Sequence, residues 1–163
     1  MKLIKDIMFF HKMHDDEPYS EDDSYYGRII LKEDQSFEGM ATDYNQTSLY
    51  YLVGKLKNNK MEMLQCSMWD NEIPKSYEAK KEGSRFYGVR IAKSAYAEVP
   101  VGECKVVVTD PDLYRDWDLE GEIIGLEEQI RRFKYSIGEE TKLLLQTNNS
   151  KEKEKTYKKK AQN

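Results

Sequence analysis

His11 and His14, followed at once by Asp15 and Asp16, form the densest group of metal-ligand residue types in the chain. Residues three apart share one face of a helix, so two imidazoles and a carboxylate can hold a metal ion there. No second ligand motif completes such a site, and a polar helix end leading into an acidic loop is the simpler reading. A second acidic group, Asp110, Asp112, Asp116 and Asp118, surrounds Arg115 and Trp117. Paired carboxylates perform acid–base chemistry when their surroundings separate their pKa values; helix capping accounts for most of these acids more simply. Asp15, Asp16, Glu17, Glu21, Asp22 and Asp23 lack the glycine-centred spacing of a calcium loop. There is no Gly-x-Ser-x-Gly, no phosphate loop and no dinucleotide fingerprint. Two His and two Cys in the whole chain nearly exclude the common nucleophile–base triads. The chain reads as a non-enzymatic binding or interaction module that needs no cofactor. The alternatives are an enzyme using the acids around 110–118 or a His11/His14 metal, and a scaffold acting through its helix.

Tyrosine is the other chemically useful type, with 12 copies. Tyr25, Tyr26, Tyr44, Tyr50, Tyr51, Tyr77, Tyr87 and Tyr96 all fall in a strand-rich region. An inward-facing subset offers stacking faces and hydroxyl handles to a small apolar or aromatic ligand. Tyr50, Tyr77, Phe86 and Tyr87 are the expected lining residues. The bland role for the same rings is core filling and cross-strand pairing.

The elements that must position these residues show the period of strands from residue 25 to 110. Seven segments are expected as strands: 25–32, 36–42, 49–56, 61–68, 76–81, 85–92 and 103–109. Tyr25, Gly27, Ile29 and Leu31 share a face, as do Phe37, Gly39 and Ala41, and Tyr50, Leu52, Gly54 and Leu56. Asn58-Asn59 and Glu82-Gly83 are hairpin signals, and Asp110-Pro111 stops the series. Residues 4–13 supply either an eighth strand or a short helix. The spacing of Leu3, Ile7, Phe10 and His14 favours the helix.

Gly27, Gly39, Gly54 and Gly88 interrupt strands rather than turns. Interior glycines weaken flat strands but suit strongly curved sheets, where a nearby aromatic covers the gap. The expected fold is therefore mainly β: a small antiparallel up-and-down barrel of seven to eight strands, followed by one long C-terminal α-helix. This meander of short hairpins with mid-strand glycines and a closing helix is similar to the calycin architecture of lipocalins, fatty-acid-binding proteins and avidins. The similarity runs from Tyr25 to about Asn149. The lipocalin Gly-x-Trp is replaced by Tyr25-Tyr26-Gly27, so no ligand residue carries over. The resemblance implies a small-ligand role by analogy of architecture.

From Leu119 the apolar residues Ile123, Leu126, Ile130, Phe133 and Ile137 alternate in steps of four and three, the heptad seam of a coiled coil. Such a stripe must meet either the barrel or a second copy of the helix, and a homodimer through this helix is expected. The domain reading is 1–112 for the barrel, 113–149 for the helix and 150–163 for a disordered Lys/Glu-rich tail.

Length and composition agree with one domain plus an appended helix: 163 residues, 34% charged and 39% hydrophobic. A net charge of -4 and a pI near 5.4 argue against general nucleic-acid binding. No apolar run approaches the ~20 residues of a membrane helix. Lys5 and Asp6 interrupt any signal-type segment, and two unclustered cysteines suit a cytoplasmic location.

Overall fold

The computed structural model describes residues 1–14, 16–67, 74–93, 98–111, 118–135, 142 and 145. Eight antiparallel strands follow one another around a closed barrel: β1 (Leu3–Lys12), β2 (Ser24–Leu31), β3 (Ser36–Asp43), β4 (Leu49–Lys57), β5 (Lys60–Ser67), β6 (Lys75–Glu82), β7 (Arg85–Lys93) and β8 (Glu98–Thr109). One helix, α1 (Leu119–Lys134), follows. The expected mainly-β barrel with a C-terminal helix is borne out.

Residues 4–13 are the correction. All but Met13 belong to β1, which closes the barrel, pairing Ile7 with Gly27 of β2 and with Val108 of β8. Both faces of β1 carry apolar residues, and the outer one is covered in part, at Ile4. Ile7 and Phe9 point into the barrel core, while Ile4 faces out and packs beneath α1. A strand covered on both sides loses its clean alternation, and its apolar positions then mimic a helical stripe.

Local chemistry sets the turns. Asn58 and Asn59 both have positive φ, 55° and 61°, as the primed two-residue hairpin requires. Asp43 ends β3 by accepting from the backbone N–H groups of Thr47 (2.6 Å) and Ser48 (3.3 Å) and from the Thr47 hydroxyl. The mid-strand glycines allow close strand approach. At Gly88 a Cβ would stand 1.9 Å from the carbonyl oxygen of Glu78 across the sheet.

Two apolar clusters lie on opposite sides of the barrel wall. The inner one includes Phe9, Ile29, Phe37, Leu52, Met61, Tyr77 and Val106. The outer one joins Ile4, Ile30, Met40, Tyr51, Leu64 and Cys66 to Leu126, Ile130 and Phe133 of α1. Each such side chain contributes roughly 1.5–3 kcal/mol on full burial. Asp118 caps α1 by accepting from Gly121 N–H at 3.2 Å. Glu120 and Glu122 sit in its first turn and Arg131, Arg132 and Lys134 in its last, as the helix dipole favours. Lys2–Glu127 (2.9 Å), Arg28–Glu122 (3.2 Å) and Lys134–Glu38 (2.7 Å) tie the helix to the barrel.

The seam of α1 thus faces its own barrel. Leu126, Ile130 and Phe133 are buried there, Ile123 packs against the same cluster, and Leu119 is exposed. The homodimer expected through this helix loses the apolar stripe that motivated it. Its continuation at Ile137 lies outside the described residues, as does the expected tail at 150–163. No described helix is long and apolar enough to cross a membrane.

Candidate functional site

Inward-facing residues change character along the barrel axis. Toward one end the buried ones are apolar, among them Phe37, Met61, Ala79 and Phe86. At the other end β1 delivers His11, β2 Tyr25, β4 Tyr50, β5 Gln65 and Ser67, β6 Lys75 and Tyr77, and β7 Arg90. Strand register brings these together: Gln65 is opposite Lys75, Tyr77 opposite Arg90, and His11 opposite Cys104.

An aromatic lattice forms the floor of this mouth. Phe9 stacks on Tyr25 at 4.9 Å and meets Tyr77 edge-on at 5.2 Å. Tyr25 meets Tyr50 edge-on at 5.2 Å, and the His11 ring stacks on Tyr25 at 6.2 Å. Lys75 Nζ lies 5.8 Å from the Tyr25 ring centre. Below this layer the barrel is filled. Phe9, Ile29, Leu52, Met61, Tyr77 and Val106 have essentially no exposed surface, so no water-sized void adjoins them. The chain's own side chains occupy the barrel volume below the mouth.

Arg90 reaches the mouth through an irregularity in the sheet. Val89 pairs with Glu103 and Ile91 with Pro100, so Val101 and Gly102 of β8 stand against Arg90 alone. Bulges of this kind re-aim a side chain. Gly102 has φ 119°, and a Cβ there would stand 2.0 Å from the Lys12 carbonyl oxygen. Glycine at this position lets β8 kink against β1.

Three polar atoms at this end are buried without a hydrogen-bond partner: His11 Nδ1, Gln65 Nε2 and Arg90 Nε. Gln65 is 2% exposed, and its Oε1 accepts from the Tyr77 hydroxyl at 2.6 Å. Buried polar groups are normally paired, and each exception calls for an explanation. Burial, with the positive charges of Arg90 and Lys75 beside it, lowers the His11 pKa to about 4, so the imidazole is neutral at pH 7. Burial pushes the Tyr77 hydroxyl well above its usual value and raises Tyr25. Cys104 is raised to about 12, chiefly by burial, which leaves it an unreactive thiol.

Comparison with protein families, curated proteins and solved structures finds no match to this chain.

Of the four expected lining residues, Tyr50, Tyr77 and Phe86 belong to the inner cluster. Tyr87 does not. It follows Phe86 in β7, and consecutive strand residues face opposite sides. Tyr87 pairs with Lys105, whose Nζ lies over the rings of Phe10 and Tyr19 on the outer surface. Tyr77 is sealed in the floor, which leaves Tyr50 nearest the opening. Gln65, Lys75 and Arg90 were not among the expected residues. Their signal is polarity at positions of inward parity, all at one barrel end.

The metal reading does not assemble. His11 enters the mouth while His14 is exposed beyond the end of β1. Among the described residues no three His, Cys, Asp or Glu side chains gather as a metal site. Asp15 lies outside them. Of the junction acids, Asp110 pairs with Lys5 and Asp118 caps α1, while Asp112 and Asp116, with Arg115 and Trp117, lie outside the described residues.

A groove of about 600 Å³ runs outside the barrel beside α1, with Met8, Met40, Leu49 and Leu126 among its walls. Its one described cation, Arg28, already pairs with Asp6 (3.1 Å) and Glu122.

Proposed function

We propose that this chain is a non-enzymatic binding module that holds a small molecule at the polar end of its barrel. The observation that carries this reading is the convergence of buried, unpartnered polar atoms from Gln65, Arg90 and His11 above an aromatic floor. These atoms have no accessible surface, so a ligand reaches them only when the rim side chains move aside, and it then offsets the about 1–3 kcal/mol that an unmade hydrogen bond at a buried donor costs. The eight-stranded closure resembles the calycin barrels, and that likeness supports the same role by analogy.

The ligand sits shallow in the mouth, over Tyr25 and Tyr50, because the barrel beneath is packed. The outer groove is the weaker candidate, since Arg28 there has its partners. The reading needs no second copy of the chain, because the helix seam is covered by the barrel. We place the protein in the cytoplasm. Supporting this, Cys66 and Cys104 are both free and buried, on opposite sides of the barrel wall.

Native mass spectrometry of protein purified from its own host tests the reading. The expected result is a retained small molecule that is lost in Arg90→Gln. A protein that retains nothing, and whose Gln65 and Tyr50 resonances are unmoved across a broad small-molecule screen, overturns it.

A further inference from the structure

We infer that two copies of this chain pair antiparallel through the face of α1 turned away from the barrel. The inference is independent of what the barrel mouth holds. Leu126, Ile130 and Phe133 seat α1 on the barrel, with Ile123 packed beside them. Ile124, Glu128, Arg131 and Tyr135 lie on the opposite side, at steps of four, three and four that keep them in one row. The row ends on two large hydrophobic side chains that stand in solvent: Ile124 is 66% exposed and Tyr135 83%. Tyr135 is the C-cap and keeps helical backbone angles, φ -74° and ψ -20°, so it continues the row.

This row complements itself in one orientation only. Acids fill the first part of α1 (Glu120, Glu122, Glu127 and Glu128), and Arg131, Arg132 and Lys134 fill its last turn. Let two such helices run antiparallel and cross between Gln129 and Ile130. Residues equally far from that point on either side then stand level. Ile124 meets Tyr135 of the second copy, and Glu127 and Glu128 come level with its Arg132 and Arg131. The twofold axis makes every contact twice. A parallel pair would set Glu128 against Glu128 and Arg131 against Arg131, a like-charge contact that disfavours it. Within its own helix Glu128 pairs with Arg131 and, at 3.4 Å, with Arg132. Those arginine side chains stay 66% and 79% exposed, and a guanidinium carries five N–H donors, so each can take a second carboxylate. Ile124 also forms part of the wall of a groove of about 540 Å³ between α1 and the barrel, which leaves room for the incoming tyrosine ring. The helix has 16 residues, so the contact is roughly 24 Å long. A contact along it alone falls below the roughly 1,200–2,000 Å² of a standard stable interface, so the dimer is weak, with a dissociation constant on the order of 100 μM.

Sedimentation of the full-length protein between about 10 μM and 1 mM should show monomer passing into dimer. Glu128→Arg and Arg131→Glu should each weaken that dimer about tenfold, and an equal mixture of the two should restore it, because every charge again meets its opposite. Cross-linking reads the orientation. Ile124 and Tyr135 are exposed, so cysteine substitution at either leaves the fold in place, and the native Cys66 and Cys104 are buried. Under mild oxidation, Ile124→Cys mixed with Tyr135→Cys should form a disulfide far faster than either variant alone. In the antiparallel pair the two copies of position 124 stand roughly 16 Å apart, beyond the reach of a disulfide. A protein that stays monomeric at the highest concentration, charge variants that mixing does not rescue, or Ile124→Cys that cross-links with itself as fast as the mixture does overturns the inference.

Discussion

Tyr77 donates a 2.6 Å hydrogen bond to Gln65 Oε1 at the level where the barrel interior passes from apolar to polar. Solvent can satisfy neither atom, since Tyr77 is sealed and Gln65 is 2% exposed. The pair therefore behaves as a unit. Tyr77→Phe alone leaves Gln65 Oε1 without its donor and should cost about 1–3 kcal/mol. Gln65→Leu alone strands the Tyr77 hydroxyl at a similar cost. The double variant removes both polar groups and should cost clearly less than the sum of the singles. Urea unfolding of the four proteins measures this cycle, and strict additivity would show that the two side chains do not depend on each other.

The strands from Tyr25 onward were readable because turns with positive φ at Asn58, Asn59 and Gly83 punctuate them, and because Tyr25, Ile29, Phe37, Leu52 and their neighbours keep inward parity. β1 was not, since apolar residues on both of its faces erase the alternation. The helix seam was legible as an apolar stripe, but a stripe does not say what covers it. Ile4, Ile30, Met40 and Leu64, on four separate strands, had to be brought to one outer patch before the barrel could be seen as its partner. The mouth was legible only in part. Tyr50 and Tyr77 were found as rings, whereas Arg90 depends on the two residues of β8 that bulge against it, and no local pattern in β7 announces that.

His11 ties stability to pH. Its folded-state pKa is lowered to about 4, below the ordinary value of 6.5, first by burial and then by Arg90 and Lys75. Between those values the unfolded chain binds the proton and the folded protein does not. The stabilisation is therefore fully present above pH 6.5 and is lost as pH falls toward 4. His11→Leu should flatten this part of the curve. Urea midpoints at pH 7.5 and 4.5 should fall further in the unmodified protein than in the variant, and equal falls would refute the assignment to His11.

Two glycines should respond in opposite directions to the same change. Gly88 lies in β7, where a Cβ would meet the Glu78 carbonyl oxygen at 1.9 Å. The nearest atoms are all backbone of Glu78 and Ala79 in β6, which leaves nothing flexible to move, so Gly88→Ala should cost about 3 kcal/mol or more, or prevent folding. Gly125 lies within α1 with nothing inside 4 Å of its would-be Cβ. There the substitution adds helix propensity without a clash, and Gly125→Ala should gain about 0.5–1 kcal/mol. Thermal unfolding checks both, and a stabilised Gly88→Ala would contradict the tight approach of β6 and β7.

Helix docking has its own reporter. Cys66 faces outward from β5 and is covered by the patch that includes Leu126, Ile130 and Phe133, while Cys104 points into the barrel. Burial pushes both thiols up to about 12, so each reacts only after it is uncovered. Lifting α1 away uncovers Cys66 alone; global unfolding uncovers both. Ile130→Ala removes part of the helix contact, at about 2–5 kcal/mol for a buried Ile. It should therefore speed modification of Cys66 by a thiol reagent much more than that of Cys104. The Glu38 carboxylate adds a second handle. Burial alone would raise its pKa, but hydrogen bonds from Lys134 and from the Tyr51 hydroxyl (2.6 Å) overcome this and hold it below the usual carboxylate range. Its contribution is present above the ordinary carboxylate pKa and disappears as pH falls through the lowered one. Lys134→Met should thus loosen the helix at neutral pH and speed Cys66 labelling in the same selective way. Mass spectrometry of the labelled peptides reads the two sites separately. Equal acceleration at Cys66 and Cys104 would mean that helix and barrel open together, and the helix would then be part of the cooperative barrel core.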